Sequence, residues 1–119
     1  MRVPLEAEML RVFISENHRY KGRPLFEVIV DLARKKGMAG ATVLRGLLGF
    51  GADRHMHTAK ILTLSGSLPV IVEIVDRPEQ IASLLEDLED VIHEGLVTRE
   101  KIQMTVYRTN ASDGIDASL

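Results

Sequence analysis

The chain has 119 residues, 45% of them hydrophobic and 27% charged, with a formal net charge of −2 and no cysteine. Those totals describe one globular domain with a single core, and they exclude a disulfide framework, a thiolate nucleophile and a general electrostatic affinity for nucleic acid or anionic membranes. No apolar run reaches the length of a membrane span and no signal-peptide pattern opens the chain, so a cytoplasmic protein without direct membrane insertion is expected.

In chain order, residues 1–7 read as a lead-in interrupted by Pro4, residues 8–108 as the folded domain and residues 109–119 as a small, polar tail. Glu8 to Ser15 alternates, with Leu10, Val12 and Ile14 on one side and Met9, Arg11 and Phe13 on the other, which is a strand. Glu16 to Arg23 reads as a polar, mostly basic loop. Pro24 suits the first turn of a helix in which Leu25, Val28, Ile29, Leu32 and Ala33 form the apolar stripe and Gly37 supplies the stop. A second strand runs from about Ala41 to Gly49, and an extended loop with a short strand fills His57 to Ser67. Val70 to Val75 is a third strand. Asp76 and Glu79 have the spacing of a capping box for a second helix, with an inner stripe of Ile81, Leu84, Leu85, Leu88 and Val91/Ile92 and a stop at Gly95. Ile102 to Tyr107 reads as the last strand.

The order β-α-β-β-α-β with right-handed crossovers gives an α+β, ferredoxin-like sandwich with both helices on one face of an antiparallel sheet. The other face is then expected to carry Phe13, Val43, Ile71 and Val75 together with Arg11, Arg45 and Glu73. Such a face is too apolar for water and too charged for a dry core. Burial against copies of the same chain, with the charges paired, meets both constraints; a β-hairpin flap is the competing cover.

Glycines frame the stretch Gly40 to Gly51, and the polar run Ala52-Asp-Arg-His-Met-His57 follows it. Backbone amides freed by a glycine turn can cradle an anion. Together with Arg19-Tyr-Lys-Gly-Arg-Pro-Leu-Phe26, Arg54-His-Met-His57, the Val-Glu-Ile-Val-Asp strand end and the loop Glu94 to Ile102, this stretch resembles the PII signalling superfamily, and most of all its branch of short PII-like proteins. The resemblance spans roughly residues 8–108. It implies a homotrimer with sheets facing inward and an adenine nucleotide in each cleft between subunits. It also implies a mobile loop that controls a protein target, membrane transporters being a common target class.

Carried over by position, the resemblance places Thr42 near the adenine and Gly49, Phe50 and Gly51 at the base of the mobile loop, which continues through Arg54, His55 and His57, also candidates for binding the nucleotide. Gly95, Leu96, Val97 and Thr98 to Lys101 would form a second loop with Lys101 near the phosphates, and Arg108 is a further cation for them. Three departures bear on the ligand. Glu100 stands where the PII pattern has a glycine, Ala52-Asp53 follows the glycine turn in place of a basic residue, and one extra residue separates Thr42 from Gly49. They favour AMP, ADP or a cyclic nucleotide over ATP. No catalytic residue and no required cofactor is expected. Two alternatives stay open: divalent-metal binding through His55 and His57, and slow nucleotide hydrolysis using Glu16 and His18.

Overall fold

The structure is a computed structural model and describes residues 3–51, 56–58 and 67–107, with only the backbone of 57 and 58. Its strands are β1 (Leu5–Ser15), β2 (Arg19–Tyr20), β3 (Arg23–Pro24), β4 (Gly40–Arg45), β5 (Leu48–Gly49), β6 (His57–Thr58), β7 (Pro69–Asp76) and β8 (Leu96–Met104). The helices are α1 (Leu25–Lys35) and α2 (Pro78–Leu88). Four strands form one sheet in the order β4-β7-β1-β8, every neighbour antiparallel. This is the ferredoxin-like arrangement that the element order predicts, with small two-stranded ribbons β2-β3 and β5-β6 added.

The core lies between the helices and one face of the sheet. Leu10, Val12 and Ile14 of β1 meet Val70, Val72 and Ile74 of β7, and Leu25, Ile29 and Ala33 of α1 and Ile81, Leu84 and Leu88 of α2 close over them. Each of these side chains is buried. Their removal from water is the main force holding helices to sheet. Both helices carry the apolar stripe that the sequence spacing predicts.

The end of α1 is fixed locally. Gly37 has φ +76°, the amide of Gly37 donates to the Arg34 carbonyl and that of Met38 to the Ala33 carbonyl, each at 3.0 Å. These paired bonds are the Schellman motif, which needs the left-handed residue that glycine supplies. Lys36, just before that glycine, reaches across to α2, where its Nζ lies 2.8 Å from Ser83 Oγ and 3.0 Å from an Asp87 oxygen.

Several expectations are corrected. β1 begins at Leu5, three residues before Glu8, and the basic stretch before α1 contains the β2-β3 ribbon. Pro24 is the N-cap of α1, outside its first turn. The capping box at Asp76 and Glu79 is absent. Arg77 is the N-cap of α2 and has no side-chain cap, while Asp76 instead accepts from the amides of Ala39 at 3.0 Å and Arg77 at 2.6 Å. α2 ends at Leu88, so Gly95 is not its stop, although Val91 beyond it still packs into the core. The last strand covers Leu96–Met104 in place of Ile102 to Tyr107. The stretch read as a second loop, Leu96 to Lys101, is therefore strand.

The open face also differs in one strand. Directly opposed residues share a face, and β4 pairs Val43 with Val72 and Arg45 with Val70. Val43 and Arg45 thus lie on the helix side. The open face carries Thr42 and Leu44 from β4 beside Glu73 and Ile71, Arg11 and Phe13, then Thr98 and Leu96. The charges on this face are paired within the chain. Arg11 donates from Nε to Glu73 at 2.9 Å and from a terminal nitrogen to Glu100 at 3.0 Å. These two bonds raise the guanidinium pKa above its ordinary value.

Candidate functional site

A cavity of about 520 Å³ lies at one end of the sheet, lined by β5 on one side and by the start of β8 on the other. Its floor is the open-face pair Phe13 and Ile71, and its walls are Leu48, Phe50 and Leu96. The backbone of Gly46, Gly49, Gly51 and Gly95 completes the lining, with Ser15, His18 and Glu94 as its polar edge.

The glycines have different physical reasons to be there. A Cβ on Gly46 would come within 2.9 Å of Pro69 Cγ, and one on Gly49 within 3.2 Å of the same atom. These two are shaped by β7, where Pro69 also accepts a hydrogen bond from the Gly46 amide at 2.7 Å. That bond and the proline ring bend the chain after Arg45, so β4 stops and β5 starts beyond Gly46. Gly51 has nothing within 4 Å of its Cβ position and is open to the cavity. Gly95 has φ +150°, and its Cβ would meet the Phe13 carbonyl at 2.9 Å. It lets the chain press against β1 as it enters β8.

The polar edge is held by short contacts. The Ser15 amide donates to His18 Nδ1 at 3.4 Å, and His18 Nε2 lies 3.3 Å from a Glu94 oxygen. An acceptor role for Nδ1 leaves the proton of the neutral ring on Nε2, toward Glu94. The hydroxyl of Ser15 contacts that of Ser67 and accepts from the Asn17 amide at 3.2 Å. The backbone carbonyl of His18 accepts from the Leu25 amide at 2.8 Å, tying this loop to the start of α1.

Of the residues chosen from sequence, the structure gathers Gly49, Phe50, Gly51, Gly95 and Leu96 around this cavity. Thr42 and Thr98 lie on the same open face one row away, opposite Glu73 and Arg11. Val97 and Lys101 are turned to the helix side, opposite Val12 and Glu8. Lys101 stands five positions beyond Leu96 on β8, about 17 Å along an extended strand. It does not meet the glycine turn of its own chain. Arg54, His55 and Arg108 lie outside the described residues. The backbone of His57 pairs with Gly49 in the β5-β6 ribbon.

Sequence reasoning did not select Ser15, Gly46, Pro69, Ile71 or Glu94 for this site, and noted His18 only for other chemistry. The metal alternative rests on the side chains of His55 and His57, which lie outside the described residues. Among the described residues no three His, Asp or Glu side chains are placed to hold a metal ion. Glu16 and His18 do not form an acid–base pair, because Glu16 accepts from Arg45 at 2.7 and 3.1 Å while His18 faces Glu94. The Arg45 hydrogen bonds hold the Glu16 carboxyl below its ordinary pKa, which makes it a poorer base. No described helix is long and apolar enough to cross a membrane.

Comparison with known proteins agrees with the fold. CPII of Thiomonas intermedia K12, a nitrogen regulatory PII-like protein solved with ADP, AMP and bicarbonate, superposes with a TM-score of 0.65 at 20% identity, covering 86% of this chain and 91% of CPII. A protein of Thermus thermophilus described as a putative PII-like signaling protein gives a TM-score of 0.56 at 14% identity, covering 87% and 91%. In sequence, a UPF0166 protein of Aquifex aeolicus is 36% identical over 104 residues, 87% of this chain and 97% of its own length. A UPF0166 protein of Methanocaldococcus jannaschii is 34% identical over 94 residues, 78% of this chain and 86% of its own length. With residues 7–104 matching DUF190, described as "Uncharacterized ACR, COG1993", the chain belongs to the DUF190 (UPF0166) family and has the fold of PII-like proteins.

Proposed function

We propose that the protein is a cytoplasmic, non-catalytic PII-like regulator that binds an adenine nucleotide between copies of itself. The observation that carries this reading is the cavity between the Gly49–Gly51 turn and Gly95, an apolar slot of about 520 Å³ with a few polar groups at one edge. That volume lies within the usual range for small-molecule sites. A PII-like protein of the same fold, CPII, is described with ADP and AMP bound.

The cavity opens onto a sheet face whose Phe13 and Ile71 are half-buried and whose Leu44 and Leu96 are exposed. A homotrimer with these faces inward covers that surface. The first copy's own Lys101 stands five positions beyond Leu96 on β8, so a lysine near the phosphates would have to come from another copy. AMP or ADP suits the site better than ATP, since a third phosphate adds charge to a cavity edge that holds Glu94. Ligand state then alters the segment that follows Gly51, and that segment contacts a protein target, with transporters the first class to examine. A ligand shifts such an equilibrium only through different contacts in the two states.

Calorimetry with AMP, ADP, ATP, cyclic AMP and cyclic di-AMP, on protein of measured oligomeric state, tests the reading. Saturable binding near one ligand per chain is expected, weakened by Gly51→Val. Lys101→Ala is expected to weaken binding only in the oligomer. Absence of binding by all five ligands to folded, oligomeric protein would refute it.

A further inference from the structure

We infer that self-association of this protein takes up protons, because the sheet face that meets another copy carries one carboxylate more than its single cation neutralises. This rests on the inward-facing oligomer proposed above and names what regulates its assembly.

Pairing register fixes what the face contains, since directly opposed residues share a face. Leu96, Phe13, Ile71 and Leu44 make one apolar row across the sheet. Met9 and Val75 belong to a second row, beside Glu100. Between the two rows lie Thr98, Arg11, Glu73 and Thr42. Of the residues that the four main strands turn to this face, only Arg11, Glu73 and Glu100 are charged.

The three form one cluster. Arg11 donates from Nε to Glu73 at 2.9 Å and from a terminal nitrogen to Glu100 at 3.0 Å. One guanidinium thus serves two carboxylates, and one negative charge is in excess. The strand neighbours of Glu100, Arg99 and Lys101, are turned to the helix side, where Arg99 donates to Glu8 at 2.9 and 2.7 Å. On the open face β1 offers Glu100 only Met9 and Arg11, β7 adds Glu73, and β4 brings no charge. In the single chain water solvates the excess charge, because the Glu100 side chain is 60% exposed against 25% for Glu73.

Covering the face removes that water. The apolar rows on either side favour covering. A carboxylate taken out of water is costly unless it is protonated or meets a new cation. Another copy turning the same face inward brings the same cluster, and so a further excess carboxylate. One proton per copy leaves Arg11 matched by a single carboxylate, and the neutral acid can donate a hydrogen bond. Glu100 has the most solvation to lose and is the group on which this depends. A process that takes up protons grows more favourable as pH falls, so the association constant rises toward acid. Phe13, Ile71 and Leu96 also line the cavity, so a ligand held between copies follows the same dependence.

Sedimentation velocity over a dilution series, between about pH 5.5 and about pH 8, tests the inference on wild type, Glu100→Gln and Arg11→Gln. Wild type is expected to associate at about tenfold lower concentration at the acid end. Glu100→Gln keeps the side-chain length and removes the charge. It is expected to associate at the alkaline end about as tightly as wild type does at the acid end, with a midpoint that changes less than about twofold with pH. Arg11→Gln is expected to associate more weakly than wild type at the alkaline end and to respond more steeply to pH. Where dilution does not dissociate the wild type, exchange between two fluorescently labelled populations gives the same comparison, with slower exchange expected toward acid. A Glu100 that pairs with a cation of the second copy gives the opposite result, weaker association at the acid end and in Glu100→Gln, and overturns the inference. Association equally tight at every pH overturns it while the oligomer reading stands. A pH response undiminished in Glu100→Gln also overturns it, by assigning the titration to another group such as His18. Protein that stays monomeric at every pH and concentration overturns the oligomer reading and this inference with it.

Discussion

Gly46 donates its amide to the carbonyl of Pro69 at 2.7 Å, and its bare Cα faces the ring of that same proline, where a Cβ would stand 2.9 Å from Cγ. The hydrogen bond and the close approach together set where β4 ends. Gly46→Ala is expected to destabilise the fold by about 1–3 kcal/mol, the usual cost of overpacking. Pro69→Ala, which removes the offending Cγ, should recover part of that loss in the double variant. Urea unfolding at fixed protein concentration measures the cycle, and strictly additive effects would count against the contact.

Gly95 and Gly51 predict opposite outcomes for the same substitution. Gly95→Ala places a Cβ against the Phe13 carbonyl at a backbone angle that side chains avoid, and should cost about 1–3 kcal/mol. Gly51→Ala meets nothing within 4 Å and should change stability by less than about 0.5 kcal/mol. Thermal unfolding of the two variants distinguishes them directly.

Asp76 is buried and accepts two backbone amides, from Ala39 and Arg77. Asp76→Ala leaves both donors without that partner and should cost about 1–3 kcal/mol. Asp76→Asn retains an acceptor oxygen and should lose less. Glu79→Ala should be nearly neutral, because α2 uses no capping box. A larger loss at Glu79 than at Asp76 would reverse this assignment.

The Glu16–Arg45 pair predicts a pH dependence. Hydrogen bonding to Arg45 holds Glu16 below its ordinary pKa of 4.5. The folded state therefore binds this proton less readily than the unfolded chain does. The stabilisation is fully present above pH 4.5 and is lost as pH falls through the lower, folded value. Wild type and Arg45→Gln should differ in melting temperature near neutral pH and converge as pH falls through that lowered value. The neutral-pH gap should be small and shrink in high salt, since Arg45 is exposed. A gap that stays constant across the titration would refute the linkage.

What could be read from the sequence depended on how local its cause was. β7 was legible because Val70, Val72 and Ile74 alternate with half-exposed positions, so its pattern records burial. The Gly37 stop was legible because a Schellman motif is written within a few residues. β8 was not. It is an edge strand whose residues from Leu96 to Lys101 are exposed on both sides, so no apolar alternation marks them. Val43 and Arg45 were assigned to the wrong face because pairing register, set by a distant strand, decides parity. In the site, the glycine turn and Gly95 could be found as backbone punctuation. The meeting of His18 with Glu94 could not, because it depends on how β1 and β8 align.

β8 occupies the outer position of the main sheet for nine residues. Long outer strands are natural templates on which foreign chains polymerise. At the centre of this one stand Arg99, Glu100 and Lys101, with alternate side chains on opposite faces. A sticky apolar segment laid alongside would have to accommodate charge above and below itself over the same short span. The sequence that hid β8 from a hydrophobicity reading thus works as a gatekeeper, and changing those three residues to Val is expected to make this edge a template for fibres.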